Sequence, residues 1–438
     1  MEQSGGSLKK RGVDRISDLP EPLALKILSL LPTKLVISTS VLSKQWRSVW
    51  KKVPKLEFES YGNIQNVCNA LLSHKAPVLE SLHLKVRDRC EDVYIGIWAG
   101  IAMTRHVREF ALSLGSGKPV RFPSCLFCLD TLETLKLKDY VLLDLPCPVP
   151  MKSLKTLHLD SVTYKDESSV GNLLSSCSNL EHLVVRRGYF KDDVKHFVIV
   201  APSLKTLSLY DPMNGRGDKG YVINAPCLKY LDIEKLERYE FCLIENASDQ
   251  LVEAKIRDVV SIANESIMAS LTSAKRLCLD LSPLQITYPS GVSFYQLVSL
   301  EMYTHKVEWW NLLTIMLDSS PKLQVLKLID ASGRQHSLIE EKKYMKAGKW
   351  NEPKCVPECL LSSLETFVWT RHDWIRGEEK EVAFYILRNA ICLKKATFTT
   401  FPIEAKMHFK LARRREMLSE LNGVVMASHS CQLVFQSQ

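Results

Sequence analysis

No apolar run in these 438 residues approaches the roughly eighteen to twenty needed to span a bilayer, so no membrane segment is expected. The opening residues, MEQSGGSLKKRG, lack the apolar h-region of a secretory signal. Residence in the cytosol or nucleus is therefore expected. No G-x-S-x-G, P-loop or H-E-x-x-H occurs. Gly215-Arg216-Gly217 lies in a polar turn, MNGRGDKG, without the strand and helix a nucleotide site requires. The eleven histidines are dispersed. Intrinsic catalysis and a bound cofactor are not expected. Thirteen cysteines are scattered along the chain. Cys125 and Cys128 form a lone C-x-x-C and Cys355 and Cys359 a lone C-x-x-x-C, whereas a zinc site needs four ligands in paired clusters. Reduced, structural thiols and no metal are the expectation.

The formal charge is +9, a small excess for this length. Part of it sits in Lys9-Lys10-Arg11 and Arg413-Arg414-Arg415. Each reads as a solvated tail or helix face, with a nuclear localisation signal as the other reading. The aromatic residues do not interleave with a continuous basic stripe, which argues against nucleic acid. Hydrophobic residues at 46% and charged residues at 24% are ordinary for a globular protein of two or three domains.

Residues 14–53 pack three short helical patterns into about forty positions. Asp18 and Glu21, beside Pro20 and Pro22, make a helix-start signature. Leu23, Ile27 and Leu31 follow at helical spacing with Leu28 beside them, and Pro32 closes that helix. Thr33 is positioned to cap a second helix ending near Val41-Leu42. Ser43 is positioned to cap a third, in which Trp46, Val49 and Trp50 share a face. A unit this small is marginal alone, and its leftover apolar face needs either the rest of the chain or another protein. These residues resemble the F-box, carried by Leu19-Pro20, Ile27-Leu28, Leu31-Pro32 and the run Val41-Leu42-Ser43-Lys44-x-Trp46-Arg47-x-x-Trp50. The resemblance implies docking onto a Skp-family linker through Leu19, Pro20, Leu23, Ile27, Leu28, Leu31, Pro32, Val41, Leu42, Trp46 and Trp50. Some of these must also hold the helices together.

From Leu79 onward one pattern, L-x-x-L-x-L, recurs. It runs from Leu79-Leu82-Leu84 and Val107-Phe110-Leu112 through Leu132-Leu135-Leu137, Leu154-Leu157-Leu159, Leu180-Leu183-Val185, Leu204-Leu207-Leu209 and Leu228-Leu231-Ile233. Weaker copies stand at Leu251-Ala254-Ile256 and Ala274-Leu277-Leu279, then Leu297-Leu300-Met302 and Leu323-Leu326-Leu328. From Leu132 to Leu323 consecutive starts are about 22 to 26 residues apart, as in leucine-rich repeats. The last two apolar residues of each copy face inward from a strand. One repeat cannot bury them, so copies stack into a solenoid with a parallel sheet. Segments such as 168–178 and 309–319 have helix-compatible composition and would line the convex side. The sequence resembles leucine-rich repeats but lacks their Asn or Cys after each strand, where Tyr140, Val162, Gly188, Pro212 and Leu236 stand instead. An irregular arc is expected. The open strand face nominates Lys136, His158, Arg186, Tyr210, Tyr230, Asp232, Glu301 and Tyr303 as target contacts, tyrosine and arginine being favoured interface anchors.

After Leu328 the phase breaks into a polar stretch, then resumes at Leu364-Phe367-Trp369 and Leu393-Ala396-Phe398 around an amphipathic segment, 379–389. This part resembles the FBD domain of plant F-box proteins. The carriers are Trp350-Asn351, Val356-Pro357-Glu358-Cys359-Leu360, Leu364-Glu365, Trp369, Cys392-Leu393-Lys394-Lys395-Ala396 and Cys431-Gln432-Leu433-Val434-Phe435. The expected fold class is α/β: a three-helix F-box, an irregular leucine-rich-repeat solenoid with convex helices, and a C-terminal FBD cap. The expected divisions are a disordered basic N-terminus at 1–12, the F-box at 13–56, the solenoid at 57–330, a polar loop at 331–349 and the FBD region at 350–438. The resemblance implies a non-catalytic, substrate-recruiting adaptor of an SCF-type cullin–RING ubiquitin ligase, the linker tying it to the cullin and the repeats binding a target protein. The alternatives are a repeat scaffold that joins no ligase, and a small-molecule receptor of the kind some plant F-box solenoids form.

Overall fold

The computed structural model describes residues 19–43, 46–60, 64–188, 194–212, 219–236, 241–245, 249–259, 266–281, 291–306, 308–330, 349–371, 377–400 and 408–437. The expected disordered tail at 1–12, the Gly215–Gly217 turn and nearly all of the polar loop at 331–349 lie outside them. Two compact units divide the chain: Met1–Asp144 with Val149–Leu154, and Leu145–Pro148 with Lys155–Gln438.

The first unit begins with the helices α1 (Glu21–Leu28), α2 (Thr33–Ser38) and α3 (Trp46–Val49). Parallel strands Lys55–Ser60, Ser81–Arg89, Glu109–Ser116 and Thr134–Lys138 follow, in that order across the sheet. Helices Ile64–Ser73 and Asp92–Thr104 form the first crossovers, as a parallel pair requires. The strand Lys55–Ser60 begins the repeats one copy earlier than Leu79. Its apolar residues Leu56 and Phe58 alternate with charges, which is the strand signature. A register irregularity falls between Val86 and Arg89. Opposite it, a Cβ on Gly115 would stand 2.7 Å from the Arg87 Cα and 2.8 Å from its carbonyl oxygen. Glycine lets the two backbones approach there.

In the second unit eleven described strands, from Thr156–Asp160 to Gln432–Ser437, pair in parallel in chain order. Side chains stay in register, Leu207 lying between Leu183 and Leu231, and Leu209 between Val185 and Ile233. The inward pairs from Leu157 and Leu159 to Ala396 and Phe398 are no more than 3% exposed. The missing Asn ladder is replaced by backbone. Ser161, Lys235, Asp258 and Arg371 directly follow their strands in the left-handed region, with φ of 57°, 61°, 55° and 64°. Turn amides then extend the ladder beyond the strand ends. Ser161 donates to Arg186 O at 2.7 Å, Arg187 to Tyr210 O at 2.8 Å, Lys235 to Arg257 O at 3.0 Å and Asp258 to Asp280 O at 3.1 Å. The turn donors are paired without asparagine.

On the other side of the repeats, helices Glu167–Ser175, Trp309–Asp318 and Gly377–Asn389 stand where helical composition placed them. Between the first two, however, His196–Val200, Gly220–Asn224 and Phe241–Glu245 form a second three-stranded parallel sheet. Their sequences HFVIV, GYVIN and FCLIE are rich in β-branched and aromatic residues, and Phe197, Ile199, Tyr221, Ile223 and Cys242 point into the core. A buried ion pair sits beside them. Arg187 lies 3.4 Å from Asp211. The Tyr221 hydroxyl donates to the same carboxylate at 2.6 Å, and Arg187 Nη2 donates to the Val194 carbonyl at 3.2 Å. The charges are retained because each is hydrogen-bonded.

Replacing Gly115 with alanine forces a Cβ against backbone that no rotamer change relieves. A loss of about 1–3 kcal/mol is expected, read as a lower denaturation midpoint of the full chain, whereas Gly171→Ala, whose new Cβ would meet nothing within 4 Å beyond its own helix backbone, is expected to cause no such loss.

Candidate protein-docking site

The N-terminal helices divide the eleven candidate residues into two groups. Ala24, Leu28, Val36, Trp46, Val49, Trp50 and Val53 form one buried cluster, with Leu19, Leu25 and Ile37 packed against it. Leu28, Trp46 and Trp50 therefore hold the helices together, and Leu19 is part-buried beside them. Leu23 and Ile27 on α1 remain 52% and 45% exposed, Val41 82% and Leu42 56%. Leu31, Pro20 and Pro32 are also exposed. Two exposed leucines had not been singled out, Leu30 and Leu35 at 81% and 52%. Leu30 stands three residues beyond Ile27, the spacing that could have flagged it. Side chains from α1, α2 and the turns after them thus leave an apolar surface open, while the opposite sides supply the core.

The caps differ from the sequence expectation. Pro20 and Pro32 precede the first helical residues of α1 and α2, and neither helix start has a side-chain cap bond. Thr33 lies inside α2, and its hydroxyl instead accepts the Glu57 N–H at 2.7 Å, tying the helix to the first strand. Ser43 does accept the Trp46 N–H, at 3.4 Å. Further ties fix this helical head on the first repeats. Lys75 and Ala76 N–H groups donate to Lys51 O at 2.7 and 3.0 Å, and His74 Nε2 donates to Val53 O at 2.9 Å. These ties leave the open leucines where they are.

The strand face carries the second set of candidates. In the first unit Lys136 is paired to Glu109 at 2.8 Å. In the second, Arg186 and Tyr210 share one row with Glu234, while His158, Asp232 and Glu301 occupy the middle row. Arg186 and Tyr230 are exposed and Tyr210 half-buried. Asp232 is held by Arg257 at 2.9 Å, and Arg257 also reaches Glu234 at 3.1 Å. The Cys278 thiol donates to Glu301 at 3.4 Å, and the Tyr303 ring meets His305 edge-on at 6.0 Å. Burial pushes the Asp280 carboxyl up to about 6, against the pull of Lys306. Burial alone would also raise Asp258, but the Lys306 ammonium at 2.7 Å holds it below its ordinary value. The exposed positions are thus Arg186 and Tyr230, while the acidic ones are committed to neighbours within the face. Arg257, at the centre of that network, was not singled out, although the repeat register assigns it the row of Tyr210.

Comparison with known proteins identifies these parts. The F-box domain model matches residues 16–58, the Leucine Rich Repeat model 153–178 and the FBD model 352–398. An F-box/FBD/LRR-repeat protein of Arabidopsis thaliana is 65% identical over 446 residues, covering all of this chain and 97% of the relative. A second protein of that description, from the same plant, is 58% identical with coverage of 100% and 96%. An FBD-associated F-box protein of Arabidopsis thaliana is 54% identical with coverage of 97% of both chains.

The chain belongs to the F-box/FBD/LRR-repeat family.

The FBD residues now have physical roles. Pro357 starts the helix Glu358–Ser362, which buries Cys359 and Leu360. The Cys359 thiol donates to Leu317 O at 3.3 Å. Trp369 is fully buried, edge-on to Trp309 at 5.7 Å, and Trp350 packs on Tyr385 at 5.5 Å. The FBD segment is thus continuous with the repeats, supplying strands Thr366–Thr370 and Lys395–Thr400 to their sheet.

His74 ties the F-box to its first repeat and titrates accordingly. Burial depresses its pKa below the ordinary 6.5, although its bond to Val53 opposes the shift. The folded state therefore binds this proton less readily than the unfolded chain. The stabilisation is complete above pH 6.5 and falls as the pH drops through and below that value. His74→Gln, which keeps a donor and cannot titrate, is expected to flatten this acid limb in denaturation curves collected across pH.

Proposed function

We propose that this protein is a non-catalytic adaptor that recruits a target protein to an SCF-type cullin–RING ubiquitin ligase. The F-box binds a Skp-family linker, the linker binds the cullin, and the repeats hold the target. The observation that carries the reading is the open apolar surface of Leu23, Ile27, Leu30, Leu31, Leu35, Val41 and Leu42 beside a core that is already complete. Full burial of such a side chain contributes about 1.5–3 kcal/mol. Seven partly buried ones contribute on the order of 10 kcal/mol before association costs, enough for a stable complex. The adaptor's chemical contribution is proximity: a target tethered beside a ubiquitin-charged enzyme has a high effective concentration. Arg186 and Tyr230 are the strand-face residues best placed to touch that target. The cytosol and nucleus are where such a ligase would act.

A Leu23→Asp, Ile27→Asp double variant changes exposed residues and leaves the core intact. It is expected to weaken linker binding by more than about a hundredfold, with an unchanged melting curve, in a pull-down paired with circular dichroism. Retained binding by the folded double variant refutes the assignment. Leu28→Ala instead costs about 2–5 kcal/mol of stability through a core cavity. Co-purification of a cullin with the linker separates the adaptor from a scaffold that joins no ligase.

A further inference from the structure

The last strand, Gln432–Ser437, has the Lys395–Thr400 strand on one side and, among the described residues, no strand on the other. The Gln432 N–H donates to Lys394 O at 2.9 Å. Backbone groups alternate in direction along a strand. Gln432, Val434 and Gln436 therefore bond toward the sheet, and Leu433 and Phe435 turn their N–H and C=O groups toward the open edge. These two residues also continue the inward row. Ala396 and Phe398, their neighbours in register, are fully buried, whereas Leu433 and Phe435 are only half-buried.

The edge strand Lys55–Ser60 is treated differently. Its Glu57 N–H is taken by Thr33, and it carries Lys55, Glu57 and Glu59. Capping and charge are the usual protections of a sheet edge. The sequence QLVFQS has no charge and no proline, so the last strand lacks the protection of charge.

We infer that this strand pairs antiparallel with the same strand of a second copy of the chain, about a two-fold axis through Val434. The strand's chemistry is symmetric about that residue: Leu433 and Phe435 flank it, and Gln432 and Gln436 flank those. In this register Leu433 and the second copy's Phe435 exchange two N–H···O=C bonds, and the reciprocal pair exchanges two more. The part-buried inward row of each copy meets that of the other. Gln432 faces Gln436 of the second copy, each amide able to donate and accept. Val434 faces itself in the close, non-hydrogen-bonded pair. The symmetry favours a second copy over a foreign strand, and an uncharged edge raises no repulsion between identical chains. A contact this short forms a weak dimer.

Sedimentation equilibrium of the full chain from low micromolar to near-millimolar concentration tests this. The wild type is expected to show a monomer–dimer equilibrium. Val434→Lys and Val434→Glu each place like charges across the axis and should raise the dissociation constant more than about tenfold. An equimolar mixture of the two should recover a dimer, because opposite charges then meet. The side chain is half-exposed and its N–H bond to the sheet is kept, so melting curves should match the wild type. If they do not, the double variant Gln432→Lys, Gln436→Lys, at exposed positions, serves in their place, mixed with the corresponding glutamate double. A wild type that stays monomeric throughout, or a dimer indifferent to these charges, overturns the proposal. So does a mixture that fails to associate.

Discussion

A leucine that faces inward from one strand can be covered only by the next repeat. That constraint organises the molecule. Within each unit, neighbouring strands hold their inward side chains in register, so the apolar rows of successive repeats seal one another. The turn backbone follows the same logic. Where an asparagine side chain could have paired the turn amides, strand-end carbonyls of the following repeat accept them instead, and residues such as Lys235 and Asp258 take left-handed conformations to allow it. The ladder needs a particular backbone and no particular side chain, which explains why the slots after the strands vary so freely.

The F-box follows a different economy. Its core of Leu28, Trp46, Trp50 and their neighbours is complete, and hydrogen bonds at Thr33, Lys51 and Val53 join it to the first repeats. None of this uses Leu23, Ile27, Leu30 or Val41. Large apolar groups left in water beside a finished core cost nothing in folding and gain free energy only by association. The strand face shows the opposite pattern. Its acidic groups are largely satisfied within the fold, as Asp232 and Asp258 show, while Arg186 and Tyr230 stay exposed.

Much of this was legible in the sequence because the apolar triplet recurs in copy after copy. Strands through Ala254 and Leu277 lie where weak copies of the triplet placed them, since phase outweighs the loss of one leucine. The F-box and FBD carriers matched the family that the comparisons then showed. Other features left no such trace. Leu23 and Leu28 look alike in an apolar helix, and only the position of Trp46 and Trp50 against one side decides which is buried. The strands His196–Val200, Gly220–Asn224 and Phe241–Glu245 occupy the stretches between triplets, where no repeat phase marks strand or helix. Arg257 is one charged residue among many in sequence, and its neighbours Asp232 and Glu234 come from the preceding strand.

Side-chain footprinting of the full chain, alone and with a Skp-family linker protein, tests the central claim most directly. The account predicts that labelling at Leu23, Ile27, Leu30, Leu31, Leu35, Val41 and Leu42 falls sharply in the complex, while Arg186 and Tyr230 keep theirs. Equal labelling of the open leucines in both samples, with the linker demonstrably bound, would contradict it.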